Sequence, residues 1–205
     1  MTRSPYNLAV TLSLAQEEFA KQSPQSMAEK SGCSYDAATK SFTVTYLTQN
    51  YTVTYPDGRV TNAENKEADF TTAILILHYL TGASGEELTN NWISFKELQG
   101  GAIYIQAFQK RAINPLVQVF GKKPESLVAA AQQFAAPPAD FGDVSCIIPV
   151  LPRIPILFIL WQGDDEFPPS GTILFDRNAN TYLHTEDFAH LASMTVYALI
   201  KTFKK

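Results

Sequence analysis

Residues 144–176 read VSCIIPVLPRIPILFILWQGDDEFPPSGTILFD. Two near-continuous apolar runs, VSCIIPVLP and IPILFILWQ, stand either side of Pro152, Arg153 and Pro155. A run that is apolar at every position, and not at every second one, predicts a strand covered on both faces. TILFD, after an acidic and proline-rich loop, predicts a third strand. The C-terminal part of the chain is therefore read as the centre of a sheet.

Upstream, the period changes. Phe42, Val44 and Tyr46 alternate with threonines and a leucine, and after Gln49-Asn50 the residues Tyr51, Val53 and Tyr55 do the same. That alternation predicts an antiparallel hairpin over 41–55 with one apolar face. Tyr55-Pro56-Asp57-Gly58 is a turn by its chemistry. Leu8, Leu12, Ala15 and Phe19 predict a helix over 6–21, and Ser23-Pro24 an N-cap and first turn that Gly32 closes. Residues 67–81 read as a helix apolar nearly all round, carrying Phe70, Ile74, Leu77 and His78 on one face and ending at Gly82. Helical patterns follow near 101–113, 115–121 and 124–135, punctuated by Pro115 and Gly121 and ended by Ala135-Ala136-Pro137-Pro138. A last helix starts at Thr185, with Phe188, Leu191, Ala192, Thr195 and Leu199 inward. Strands and helices come in blocks and not in βαβ alternation. The expected class is α+β, a mainly antiparallel sheet of about five strands with helices packed on it. It is read as a single domain over 1–205, with the N-terminal helices 5–31 and the hairpin 41–55 as part of it.

Composition removes several function classes. Hydrophobic residues make up 45% of the 205, so the chain can fill a large core. Net charge is −4 and the only dense basic group is Lys201, Lys204 and Lys205, which argues against nucleic acid as a partner. Two cysteines, Cys33 and Cys146, exclude a disulfide scaffold and a four-thiolate metal site within one chain. Cys146 reads as a buried hydrophobe, and Cys33, after Gly32, as a loop residue open to exposure. The longest apolar helical run, AILILHYL, is too short for a membrane span, and MTRSPYNLAV has no leader-like core; a cytoplasmic protein without membrane association is expected.

Individual clusters each carry a plain reading beside a chemical one. Asp164-Asp165-Glu166, flanked by Trp161 and Phe167, is either a solvated hairpin loop or a site for a cation or amine with an aromatic wall. DRNANTYLHTED, 176–187, partly matches a calcium loop, but Thr181 replaces the required glycine and a strand, not a helix, precedes it. His184 and His190 are six apart, so one helical face does not hold both, and no HExxH occurs; no metal site is expected. His78 is a core histidine or an axial ligand to a tetrapyrrole or corrinoid. Gly100-Gly101 before a helix is a tight turn or an anion cradle. Ser94 and Lys96 share a strand face in WISFKEL, without a wider catalytic constellation. Arg153, a lone charge in an apolar stretch, is an exposed turn residue or half of a buried pair with Asp143 or Glu97.

Taken in order, WISFKEL with Gly100-Gly101 and Tyr104, then LPRIP at 151–155, WQGDDEF at 161–167, LFD at 174–176, and Tyr182-Leu183 before Glu186-Asp187 resemble a bacterial and archaeal family, the domain of unknown function 3786. YDAATKSFTVTYL and TYPDG are similar too, so the likeness runs from about residue 5 to the C-terminus. The family has no settled activity. Its association with anaerobes, and with a cysteine-rich iron–sulfur module that two cysteines cannot supply here, implies an accessory role in anaerobic redox or corrinoid metabolism.

Three readings follow. The first is a non-catalytic small-ligand or accessory protein, with a tetrapyrrole or corrinoid as ligand class. Its pocket is lined by Trp92, Ser94, Lys96 and Tyr104, by Arg153, and by Trp161, Asp164, Glu166 and Phe167, with His78 as a further ligand-binding candidate. The second is an enzyme centred on Asp164, Glu166 and Arg153, with or without a divalent metal. The third is an interaction module docking an iron–sulfur protein, for which an exposed apolar patch holding Trp92, Trp161 or Phe167 is the signature.

Overall fold

The period-two stretch forms strands β2 (Ser41–Tyr46) and β3 (Gln49–Thr54) in the computed structural model, which describes residues 7–203. The expected start of the first helix at residues 5–6 and the basic tail at Lys204 and Lys205 lie outside those residues. The hairpin turns at residues 47–48, with Leu47 at φ 54°, two residues earlier than Gln49-Asn50. It is widened by two short strands, β1 (Ser34–Asp36) and β4 (Arg59–Asn62), into a four-stranded antiparallel sheet of order β1-β2-β3-β4. The C-terminal strands form their own sheet. Strands β5 (Trp92–Ser94), β6 (Pro138–Ala139), β7 (Val144–Leu151), β8 (Ile154–Trp161) and β9 (Ser170–Asp176) run antiparallel in the order β5-β9-β8-β7-β6. The class is α+β with antiparallel sheets, and β8 is the central strand its apolar run predicts, buried at every position from Ile156 to Leu160.

The chain is organised as two compact units, Met1–Glu86 with Thr181–Leu183, and Glu87–Asn180 with His184–Lys205. In the first, helices α1 (Leu8–Ala20), α2 (Pro24–Ser31) and α3 (Phe70–Gly82) accompany the four-stranded sheet. Ser23 accepts the Ser26 N–H, Pro24 opens α2, and Gly32 closes it at φ 73°, as the capping chemistry predicts. Phe19 of α1 meets Phe42 and Tyr55 edge-on, each with centroids 5.7 Å apart. Buried Ile74, Leu75, Ile76, Leu77, Tyr79 and Leu80 put α3 in the core. Phe70, expected inward, is 49% exposed because it opens the helix directly after the Asp69 cap. Gly82 is the last helical residue and not a left-handed cap. A methyl there would stand 2.4 Å from the Tyr182 carbonyl oxygen, so close backbone approach explains the glycine. The same three-residue return stacks Tyr182 on Tyr79, while the Tyr182 hydroxyl donates to the Glu86 carbonyl.

In the second unit, helices α4 (Gly101–Phe108), α5 (Asn114–Phe120), α6 (Glu125–Ala131) and α7 (Thr185–Phe203) join the five-stranded sheet. Phe95, Phe108, Phe175 and Phe188 form an aromatic cluster in its core, with Phe95 and Phe108 stacked 4.0 Å apart. The inner face of α7 is as expected, with Phe188, Leu191, Ala192, Thr195 and Leu199 all buried. Pro115 punctuates the helical pattern in the sequence, yet helix continues through it. Residues Gln109–Ile113 make a π turn in which the Asn114 N–H reaches back to the Gln109 carbonyl. Proline has no N–H for the carbonyl four residues back, that of Arg111. The Ser193 hydroxyl of α7 donates to that carbonyl instead, at 3.1 Å.

Candidate functional site

Antiparallel register sorts the sequence-selected residues of the second unit onto two ends of one sheet. Arg153 lies in the turn between β7 and β8, beside the Leu151–Ile154 pair. Trp92 pairs with Asp176 at the same end. Trp161 ends β8 at the opposite end, and Asp164, Glu166 and Phe167 belong to the connection to β9 that leaves from the Trp161–Ser170 pair. The eight residues of β8 at roughly 3.3 Å each hold the two ends about 26 Å apart. Arg153 therefore does not converge with Asp164 and Glu166, and the segments expected to line one pocket fall at two ends of the sheet. Asp143 is no partner for Arg153 either, because it precedes β7 at the far end and accepts the Gln162 N–H at 2.7 Å.

The Arg153 end is organised around a buried carboxylate. Asp176 closes β9 at 2% exposure and accepts from the Thr89 hydroxyl (3.0 Å), the Asn90 N–H (2.7 Å) and the Asn178 N–H (2.9 Å). Asn178 donates to the Glu87 carbonyl, and Asn180 accepts from the Gln99 N–H while donating to Thr185. Thr185, expected as the helix cap, gives its hydroxyl to the Gln99 carbonyl at 2.7 Å. The segment that partly matched a calcium loop is thus a latch joining residues 87–99 to 176–185. Among the described residues no group of His, Cys, Asp and Glu is arranged to hold a metal ion.

Ser94 and Lys96 do not act together. The Ser94 hydroxyl and N–H both donate to the Glu97 carboxylate, at 2.7 and 2.8 Å, forming a capping box while Lys96 points to solvent. These bonds, with Arg177 nearby, hold Glu97 below the usual carboxylate range. Gly101 packs so tightly that a methyl would stand 1.8 Å from the Phe95 carbonyl oxygen, and Gly100 takes φ 76°. Turn geometry explains the pair. Tyr104 lies half-exposed on α4. His78 belongs to the first unit, half-buried on α3. Both cysteines are buried, Cys33 included, and burial pushes both thiols up, Cys146 to about 12.

The loop end has the opposite character. The Asp164 carboxylate accepts the N–H groups of Phe167 (2.7 Å) and Glu166 (2.9 Å), and its own N–H donates to the Phe167 carbonyl. Those bonds keep Asp164 ionised below the ordinary range and fold the loop so that Phe167 stands 67% exposed. The neighbouring loop 140–143 is fixed in the same way. Buried Ser145 accepts the Phe141 N–H at 3.0 Å and donates to the Ala139 carbonyl, leaving Phe141 42% exposed. The two loops touch, since the Asp143 N–H bonds the Leu160 carbonyl and a methyl on Gly142 would lie 3.2 Å from the Trp161 ring. Trp161 itself is 39% exposed. Sequence reading missed loop 140–143, although its Phe-Gly-Asp core after a proline corner carries the same aromatic-plus-acid signature as WQGDDEF.

A family model described as "Domain of unknown function (DUF3786)" matches residues 23–198. The chain belongs to the DUF3786 family. The match spans residues of both units and both loops at the open end of the sheet. Neither the curated proteins nor the solved structures give a match to this DUF3786 chain. Among its described residues no helix is long and apolar enough to cross a membrane.

Proposed function

We propose that this DUF3786 protein is a non-catalytic accessory module that acts by docking a protein partner through the loop end of its five-stranded sheet. One observation carries the reading: Phe141 and Phe167 stand exposed on two loops whose backbones are held by internal hydrogen bonds, and Trp161 stands exposed at the end of β8 that both loops adjoin. Large aromatics on prefolded loops lose little freedom on binding and supply most of the energy of protein interfaces. The carboxylate-enzyme reading loses its support, because its arginine and its acids occupy opposite ends of β8.

The test is a photo-crosslinking amino acid installed at Phe167, with a second installed at Thr43 on the exposed face of β2 as control. Specific adducts from position 167, absent from position 43 and lost with Trp161→Ala, are the expected result. Identical adducts from both positions, or none from 167, would remove the proposal. An anaerobic purification with an absorption spectrum tests the small-ligand reading on the same sample. A Soret or corrinoid band would move attention to His78.

A further inference from the structure

The exposed aromatics do not stand alone. Loops 140–143 and 162–169 hold five carboxylates: Asp140, Asp143, Asp164, Asp165 and Glu166. All five are exposed, and among the described residues none is engaged in an ion pair. They are not equivalent. Asp164 is occupied by the loop's own N–H groups, and one oxygen of Asp143 by Gln162. Asp140, Asp165 and Glu166 are left exposed on the loops that carry Phe141 and Phe167 and adjoin Trp161. Two basic groups, Lys122 and Lys123, follow Gly121, where a methyl would lie 3.0 Å from Pro169. Against those two lysines the two loops set five carboxylates.

Resting on the docking reading above, we infer that the occupant of this surface is an arginine-bearing basic segment of a partner protein. Charge complementarity selects the sign. The interleaving of rings and carboxylates selects arginine over lysine. A guanidinium stacks flat on Trp161, Phe141 or Phe167 while its fork of N–H groups meets a carboxylate edge, and an ammonium cannot do both. Asp164 is a positioning residue, since it presents Phe167 and keeps its charge through bonds to the loop backbone. Asp140, Asp165 and Glu166 make the contacts. A nucleic acid or an anionic membrane is repelled by the same field.

The test uses the full chain carrying Trp92→Phe, so that Trp161 is the sole tryptophan reporter. It is titrated with three peptides of equal length that differ only in carrying arginine, lysine or glutamate at alternate positions. Trp161 emission is expected to respond to the arginine peptide most strongly, to the lysine peptide about tenfold more weakly, and not to the glutamate peptide. Affinity for the arginine peptide should fall at least about tenfold from low to high salt. It should fall by a similar factor in D140N/D165N/E166Q, whose fold is checked by its unchanged melting temperature. Equal binding of all three peptides, no response to any of them, or an unaffected triple variant overturns the inference. So does a concentration-dependent dimer, which would make a second copy the occupant. The two levels separate cleanly: a specific crosslink at position 167 to a partner segment without a basic surplus would leave docking standing and sink the arginine assignment.

Discussion

The two ends of the five-stranded sheet use the same residue type in opposite ways. At one end Asp176 is buried and its carboxylate is saturated by three donors that fasten residues 89–90 and 178 to the strand. At the other, Asp164 lies in solvent and organises only its own loop, in company with exposed acids that enter no ion pair among the described residues. A buried carboxylate must be fully bonded to be tolerated, so it becomes structural. An exposed one costs little to leave uncommitted and remains available to another molecule. Burial, and not the presence of acid residues, separates the latch from the candidate interface.

The largest effect should come from the latch. Asp176→Ala strands the Asn90 and Asn178 N–H groups and should destabilise the protein by about 3 kcal/mol in urea unfolding, with Asp176→Asn losing less. A result near zero would break the contrast between the ends. Ser193→Ala, away from both, leaves the Arg111 carbonyl without its replacement donor and should cost about 1 kcal/mol.

The pH dependence has two limbs. Glu97 and Asp164 have lowered folded-state pKa values, so they stabilise the fold above their unfolded values and lose that contribution as pH falls through the depressed ones. The melting temperature should decline below about pH 4. Tyr46 and both cysteines are shifted upward by burial. Their contribution is complete below the unfolded values and is lost as pH rises, so melting should also decline above roughly pH 9. The smallest effect belongs to the loop end. Phe167→Ala should change stability by less than about 0.5 kcal/mol while abolishing crosslinking from neighbouring positions, whereas a large loss of stability would assign Phe167 to the core.

Strong local signals were readable in advance. The unbroken apolar run of β8, the Ser23-Pro24 start and Gly32 stop of α2, and the period of α7 each need only neighbouring residues to be interpreted. β1 and β4 span three and four residues, too short for a period to register, so the separate four-stranded sheet was not legible. The helix continues across Pro115 with the freed Arg111 carbonyl bonded by Ser193, 82 residues from Arg111, and no local rule announces it. The separation of Arg153 from Asp164 was hidden for a related reason. Arg153 and Asp164 are close in sequence, and only the strand between them shows that closeness to be a full strand length of separation. Loop 140–143 became visible only when register placed it beside Trp161.

The brief return of Thr181–Leu183 to the first unit bears on how the gene can be cut. A truncation after Glu86 yields a fragment lacking the ring that stacks on Tyr79 and the hydroxyl that bonds Glu86. The complementary fragment carries that tripeptide as an orphan. Neither half is a transferable cassette, so recombination inside this coding sequence has no silent breakpoint between the two units, and a dissection that respects the fold must splice 181–183 back onto the N-terminal piece through a designed linker.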